Sequence, residues 1–258
     1  MLWVRPQTPT DAIYAETGRL PIDIRHKLKL LKYWIRLMSL PASHIVKKAY
    51  NSLYLLHSLG QKNWCTSVRQ LLRSLNLYEA WERQEVLDES ILIHQATETL
   101  VSSHINQCLS KIQNCDSTMK LRMYKTFKHQ YTMEPYLTDV RDTRYRVALS
   151  RFRLSSHNLE IELGRHTNPK TPVESRICKH CHLQETEDEI HFLLKCPKFL
   201  NLRLPLKNCA QLYFPDFENL PTESQFNLLM TTKDLDLLIQ LGKYIYAGFE
   251  VSNNNTHR

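Results

Sequence analysis

Four side chains within one short stretch have the types and spacing of a metal site. Residues 176–199 read RICKHCHLQETEDEIHFLLKCPKF: two residues separate Cys178 from Cys181, nine separate Cys181 from His191, and four separate His191 from Cys196. A cysteine pair at that separation lets one tight turn aim two thiolates at a single ion, and the later His and Cys complete a tetrahedron. The four lie within 19 residues, which points to one zinc ion held by a Cys3His set. Four protein ligands leave no coordination position for a substrate, so the expected ion is structural, and losing one ligand should unfold the local unit. Competing assignments would recruit His180, His182 or Cys209, and cysteines two apart also occur in redox proteins.

Neighbouring residues supply the elements that would hold these ligands. The acidic run Glu185–Glu189 predicts a helix beginning near Asp188, because carboxylates suit a helix N-terminus. His191 and Cys196 would straddle that helix and its end at Pro197. Upstream, GRHTNPKTPVESR at 164–176 is punctuated by Gly164, Pro169 and Pro172 and cannot stay helical. It marks the expected boundary between a helical region, 1–163, and a basic linker with the metal motif, 164–200. C-terminal helices over 201–250 and a frayed tail over 251–258 would follow. The expected fold class is mainly α: a helical bundle, then the small Cys3His module, then short C-terminal helices.

Helical periodicity dominates the first region. Thr10 is a candidate N-cap for a short helix that Gly18 would end. Pro21 suits the first turn of a second helix, where Ile24, Leu28, Leu31 and Ile35 share one face and Arg25, Lys29, Lys32 and Arg36 recur on another. Pro41 stops it. Ser43 would cap a third helix running through His57 and ended by Gly60, and a fourth spans roughly Asn63 to Leu75. Asp88–Gln113 is apolar at helical spacing and free of Gly and Pro, predicting one long helix or a pair. Helical patterns also cover Met119–His129 and Asp139–Phe152. Pro197 would start a short helix, Pro205, Pro215 and Pro221 would break the chain, and Ser224–Met230 and Lys233–Phe249 would close it.

The chain of 258 residues carries 34 Lys and Arg against 26 Asp and Glu, a net charge of +8. Two blocks hold the excess, residues 1–60 at +6 and residues 121–176 at +5, while each remaining stretch stands at −1. Such local positive fields attract polyanions. A hydrophobic content of 42% speaks against wholesale disorder. Seven cysteines, an odd number with three in metal-like spacing, argue for a reducing compartment and against a disulfide framework. No run approaches the roughly 18–20 apolar residues of a membrane span, and MLWVRPQTPTDA lacks the core of a signal peptide. An intracellular protein, nuclear or cytoplasmic, is expected, with no membrane partner.

The run SRFRLSSHNLEIELGRH at 150–166, followed by RICKHCHLQETEDEIHFLLKCP, resembles the C-terminal part of non-LTR (LINE-type) retrotransposon reverse transcriptases, whose zinc knuckle the second run matches. ETGRLPIDIRHKLKLLKYWIRLMSLP at 16–41 and KAYNSLYLLHSLGQKNW at 48–64 are similar to the region after their polymerase core. The resemblance covers most of residues 10–200. It implies a helical thumb and linker that grip template RNA or target DNA, with the knuckle as anchor. Cys178, Cys181, His191 and Cys196 then match the metal ligands, and Arg151, Arg153, His157, Arg165 and His166 fall in the basic segment before them. The nine-residue loop between Cys181 and His191 holds no aromatic for base stacking. Polymerisation needs paired aspartates on two metal ions, and no Asp-Asp dipeptide occurs, so the palm is missing. Neither a Gly-rich phosphate loop nor a recognisable nucleophile setting appears.

The resulting expectation is a non-catalytic, zinc-containing fragment that binds RNA or DNA and has no small-molecule substrate. Lys27, Lys29, Lys32, Arg36, Lys47 and Lys48 form one candidate phosphate surface, and Arg144, Arg146, Arg151, Arg153, Arg165 and Lys170 form another. Tyr33, Trp34 and Tyr145 are candidate stacking residues, although Trp34 lies near the apolar face. The alternatives are a zinc-stabilised protein-interaction module and a retrotransposon relic without function.

Overall fold

The computed structural model describes residues 2–116 and 120–254. Met119, at the start of one expected helix, and residues 255–258 of the expected tail lie outside the described residues. In chain order the helices are α1 (Thr10–Thr17), α2 (Ile22–Ser39), α3 (Ile45–Ser58), α4 (Trp64–Ser74), α5 (Tyr78–Arg83), α6 (Glu89–Gln113), α7 (Tyr124–Phe127), α8 (Tyr136–Asp139), α9 (Thr143–Arg153), α10 (Glu160–Leu163), α11 (Leu200–Tyr213), α12 (Thr222–Thr231) and α13 (Leu235–Asn254). No strand occurs among the described residues. The chain divides into two compact units, Leu20–Gln107 and the combination of Met1–Arg19 with Cys108–Arg258.

The smaller unit is built on the amphipathic pattern of α2. Ile24, Leu31, Trp34, Ile35 and Leu37 are buried, and Arg25, Lys29, Lys32 and Arg36 are exposed on the other side. Trp34 is fully buried and its Nε1 donates to Tyr50 Oη at 3.1 Å, so it serves the core and cannot stack on a base. His44, rather than Ser43, caps α3, its Nδ1 accepting from Val46 N at 3.2 Å. Asn63 begins α4 through a reciprocal cap: its Oδ1 accepts from Cys65 N at 2.9 Å, and its own N–H donates to Thr66 Oγ1 at 3.1 Å. α6 runs as one uninterrupted helix over the stretch whose periodicity allowed one or two.

In the larger unit α9 packs against α8 and α13, and α13 packs against α11 and α12. The boundary expected at residue 164 is not where the chain divides. Leu159 and Ile161 share one core with Cys178, Phe192 and Phe199, and Arg176 reaches back to Ile161 O at 2.7 Å and Thr171 O at 2.8 Å. The 164–176 loop is therefore sewn into the unit that precedes and follows it. Asp139–Phe152 is split at Val140–Asp142, where Asp142 Oδ1 caps α9 by accepting from Arg144 N at 2.9 Å. Pro205 sits inside α11 and does not break it. Its ring is exposed, and Leu206 and Ala210 are buried just beyond, so packing holds the helix across the one missing hydrogen bond.

Candidate metal centre

A short antiparallel contact starts the site. Ile177 bridges Thr186, Cys178 N donates to Glu185 O at 2.9 Å, and Glu187 N donates to Arg176 O at 2.9 Å. The turn between these arms carries Cys181 and includes Gln184 at φ +55°. His180 N donates to Cys178 Sγ at 3.4 Å, placing a backbone dipole where a thiolate would sit. The second pair of ligands comes from the following helical turn. Asp188 Oδ1 accepts from His191 N at 2.8 Å, capping the turn where the acidic run predicted a helix start. Residues His191–Lys195 then form a π-helical turn, and Cys196 N closes it on His191 O at 2.7 Å.

These two pieces bring the four expected ligands together. Cys178 Sγ lies 3.9 Å from Cys196 Sγ, Cys181 Sγ lies 3.4 Å from His191 Nε2, and all four ligand atoms fall within 4.8 Å of one another. A tetrahedral ion with metal–sulfur bonds of ~2.3 Å and a metal–nitrogen bond of ~2.0 Å requires edges of roughly 3.8 Å and 3.5 Å. The cluster can hold a metal ion. Cys178, His191 and Cys196 are buried and Cys181 is half-buried, so the centre is closed. His180, His182 and Cys209 are not part of the cluster; His180 instead faces Glu187 at 3.6 Å.

The four side chains compete for protons. The Cys178 thiol donates to Cys196, which raises Cys178, with burial adding to the effect, and lowers Cys196. Burial pulls His191 down, but its hydrogen bonds to Cys178 and Glu185 lift it to about 9. An ion arriving here replaces these protons, so binding is coupled to proton release. His191 Nδ1 pairs with Glu185 Oε2 at 3.2 Å, leaving Nε2 to face the cysteines, and this bond from His191 holds Glu185 below the usual carboxylate range.

Packing behind the ligands fixes the π turn. Phe192, fully buried, has ring neighbours Phe199 at 5.0 Å, Phe249 at 5.4 Å and Tyr244 at 5.5 Å. A Cβ at Gly248 would come within 2.5 Å of the Phe192 ring, so α13 can approach this close only with glycine there. Arg203, buried on α11, donates to Leu193 O at 2.8 Å and Cys196 O at 2.8 Å, satisfying carbonyls that the end of the turn leaves open. Sequence reading missed Arg203, Glu185 and Arg176 as supports. Nothing in their spacing distinguishes an arginine that braces carbonyls from one that faces water.

The basic residues part into two groups. On the smaller unit, Lys27, Lys29, Lys32, Arg36 and Lys48 are exposed, while Lys47 is half-buried with its Nζ 5.3 Å from the Tyr50 ring centre. Tyr33 is exposed beside Trp64. On the larger unit most arginines are already engaged. Arg153 is buried against Glu16 and Glu134, and His157 is buried against Glu189, so neither can meet a phosphate; both leave the candidate surface. Arg144 pairs with Asp142 at 2.8 Å and lies 5.5 Å from the ring centre of the half-buried Tyr145. Arg146 donates to Val140 O at 2.9 Å, and Arg165 lies 3.1 Å from Glu162. Arg151, His166 and Lys170 remain exposed.

No family model, curated protein or solved structure matches the chain significantly. No helix among the described residues is long and apolar enough to cross a membrane.

Proposed function

We propose that this chain is a zinc-stabilised, non-catalytic nucleic-acid-binding segment of the kind that follows the polymerase core in LINE-type reverse transcriptases, working in a reducing compartment. The observation that carries this reading is the charge of the first three helices of the smaller unit. Residues 22–74 hold ten Lys and Arg against the single acid Asp23, and the only ion pair within them is Lys27–Asp23 at 3.2 Å. An uncompensated array of that kind neutralises phosphates without reading bases. Three sulfurs and one imidazole nitrogen in a closed tetrahedron suit zinc, whose part is to hold the local fold.

Fluorescence anisotropy of single-stranded RNA and duplex DNA across a salt series tests the reading. The logarithm of affinity should fall linearly with the logarithm of salt concentration. Failure of both nucleic acids to bind near ~50 mM salt, where phosphate contacts are strongest, contradicts it. A second reading, a protein-interaction module, draws on α3. Only Tyr50 of that helix is buried, and Ile45, Leu55 and Leu59 are 75%, 59% and 71% exposed. Complex formation through that face would be insensitive to salt.

A further inference from the structure

A concavity of about 710 Å³ in the larger unit lies between the N-terminal residues 3–5, α9, the turn at 156–159 and the end of α13. That size is within the ~300–1,000 Å³ typical of small-ligand sites. Its lining combines cations and rings. Arg5, Arg144 and Arg151 line it together with Trp3 and Tyr246, and Glu250 is the one carboxylate among its lining residues.

We infer that this cleft holds one nucleotide of a bound strand, its phosphate on Arg151 and Arg5 and its base against Trp3; the inference rests on the nucleic-acid reading above. Arg151 is exposed and spends only its Nε, which donates to Trp3 O at 3.0 Å. Its two terminal nitrogens have no partner among the described residues. Arg5 donates through its side chain to the neutral Asn158 amide and forms no ion pair with a carboxylate among the described residues. Guanidinium groups suit phosphate oxygens. Trp3 is 59% exposed and adopts φ +51°, a left-handed conformation uncommon outside glycine. The bonds Arg151 Nε to Trp3 O and Arg5 N to Ser156 Oγ, at 3.0 Å and 2.7 Å, pin the segment that displays this ring.

A second, independent feature is His157, which lines the cleft and is 3% exposed. Its Nε2 is taken by Glu189 at 3.2 Å, and its Nδ1 is buried with no hydrogen-bond partner. Buried polar atoms are seldom left so. With Nε2 engaged by Glu189, Nδ1 is the ring nitrogen left to pair with a ligand group such as a ribose hydroxyl.

Isothermal titration of the full zinc-loaded chain with AMP, adenosine and inorganic phosphate tests the assignment. AMP should bind more tightly than either part alone. Arg151→Gln should weaken AMP ~10-fold, the loss of one charge-assisted contact of ~1.4 kcal/mol, and Trp3→Ala should weaken it ~5-fold or more. Both positions are exposed, and unchanged circular dichroism would confirm folding. Lys29→Ala with Lys32→Ala, on the smaller unit, should weaken long RNA and leave AMP binding intact. AMP binding unaffected by both cleft variants, or no AMP binding at millimolar concentration, overturns the cleft assignment; loss of RNA binding with AMP binding retained would instead fault the wider reading.

Discussion

Arg153 and Glu16, 137 residues apart, form a fully buried ion pair in which Arg153 Nε donates to Glu16 Oε1 at 2.5 Å. Around it Tyr124 Oη and Tyr136 Oη each donate to the Glu16 carboxylate at 2.8 Å, and Glu134 Oε2 lies 2.8 Å from Arg153 Nη2. The arginine that sequence spacing placed on a phosphate surface is thus the cross-link between the N-terminal helix and α9. Removing it strands a buried carboxylate. Arg153→Ala should destabilise the protein by about 3–5 kcal/mol, read as a lower urea midpoint at unchanged slope.

The same pair sets an acid dependence. Burial raises the Glu16 carboxyl, but Arg153 and its other partners outweigh this and hold it below its ordinary 4.5. A carboxyl with a depressed folded-state pKa contributes stability that is present above the unfolded value and lost as pH falls through the folded one. Glu16→Gln is neutral at every pH. The stability gap between wild type and Glu16→Gln should therefore be widest near neutrality and narrow as pH drops below about 4.5, measured by urea unfolding at a series of pH values. A constant gap would contradict it.

Phosphate contacts on α2 are countable. Replacing Lys29, Lys32 and Arg36 together by Ala should shrink the salt slope on duplex DNA by up to ~2.7, about 0.9 for each phosphate released. Arg146→Ala should leave that slope unchanged, because its guanidinium is spent on Val140 O and Thr143 Oγ1. Anisotropy over a salt series checks both.

The Glu185 side chain touches the metal centre only through His191. Glu185→Ala should lower metal affinity ~10–100-fold without removing a ligand, seen as faster loss of the ion to a chelator at fixed pH.

How much was legible in the sequence differs by element. The ligands Cys178, Cys181, His191 and Cys196 could be read because metal geometry imposes a local spacing, and a helix start near Asp188 followed from the acidic run. Helices α2, α4 and α6 were legible because each buries a stripe at helical period. The division of the chain was not, because it depends on which distant segments share a core: Gly164, Pro169 and Pro172 do interrupt helix, but Arg176 ties the interruption back to Ile161 and Thr171. Nor could charge say whether an arginine is free. Lys29 and Arg153 are both cations at helical spacing, and only the distant Glu16 distinguishes them.

Metal content per chain tests the central claim most directly. Native mass spectrometry of reduced protein should find one zinc per chain, none in Cys178→Ser or His191→Ala, and one in His182→Ala and Cys209→Ser. Zinc retained in full by Cys178→Ser, or absent from wild type refolded with zinc, would contradict the Cys3His centre.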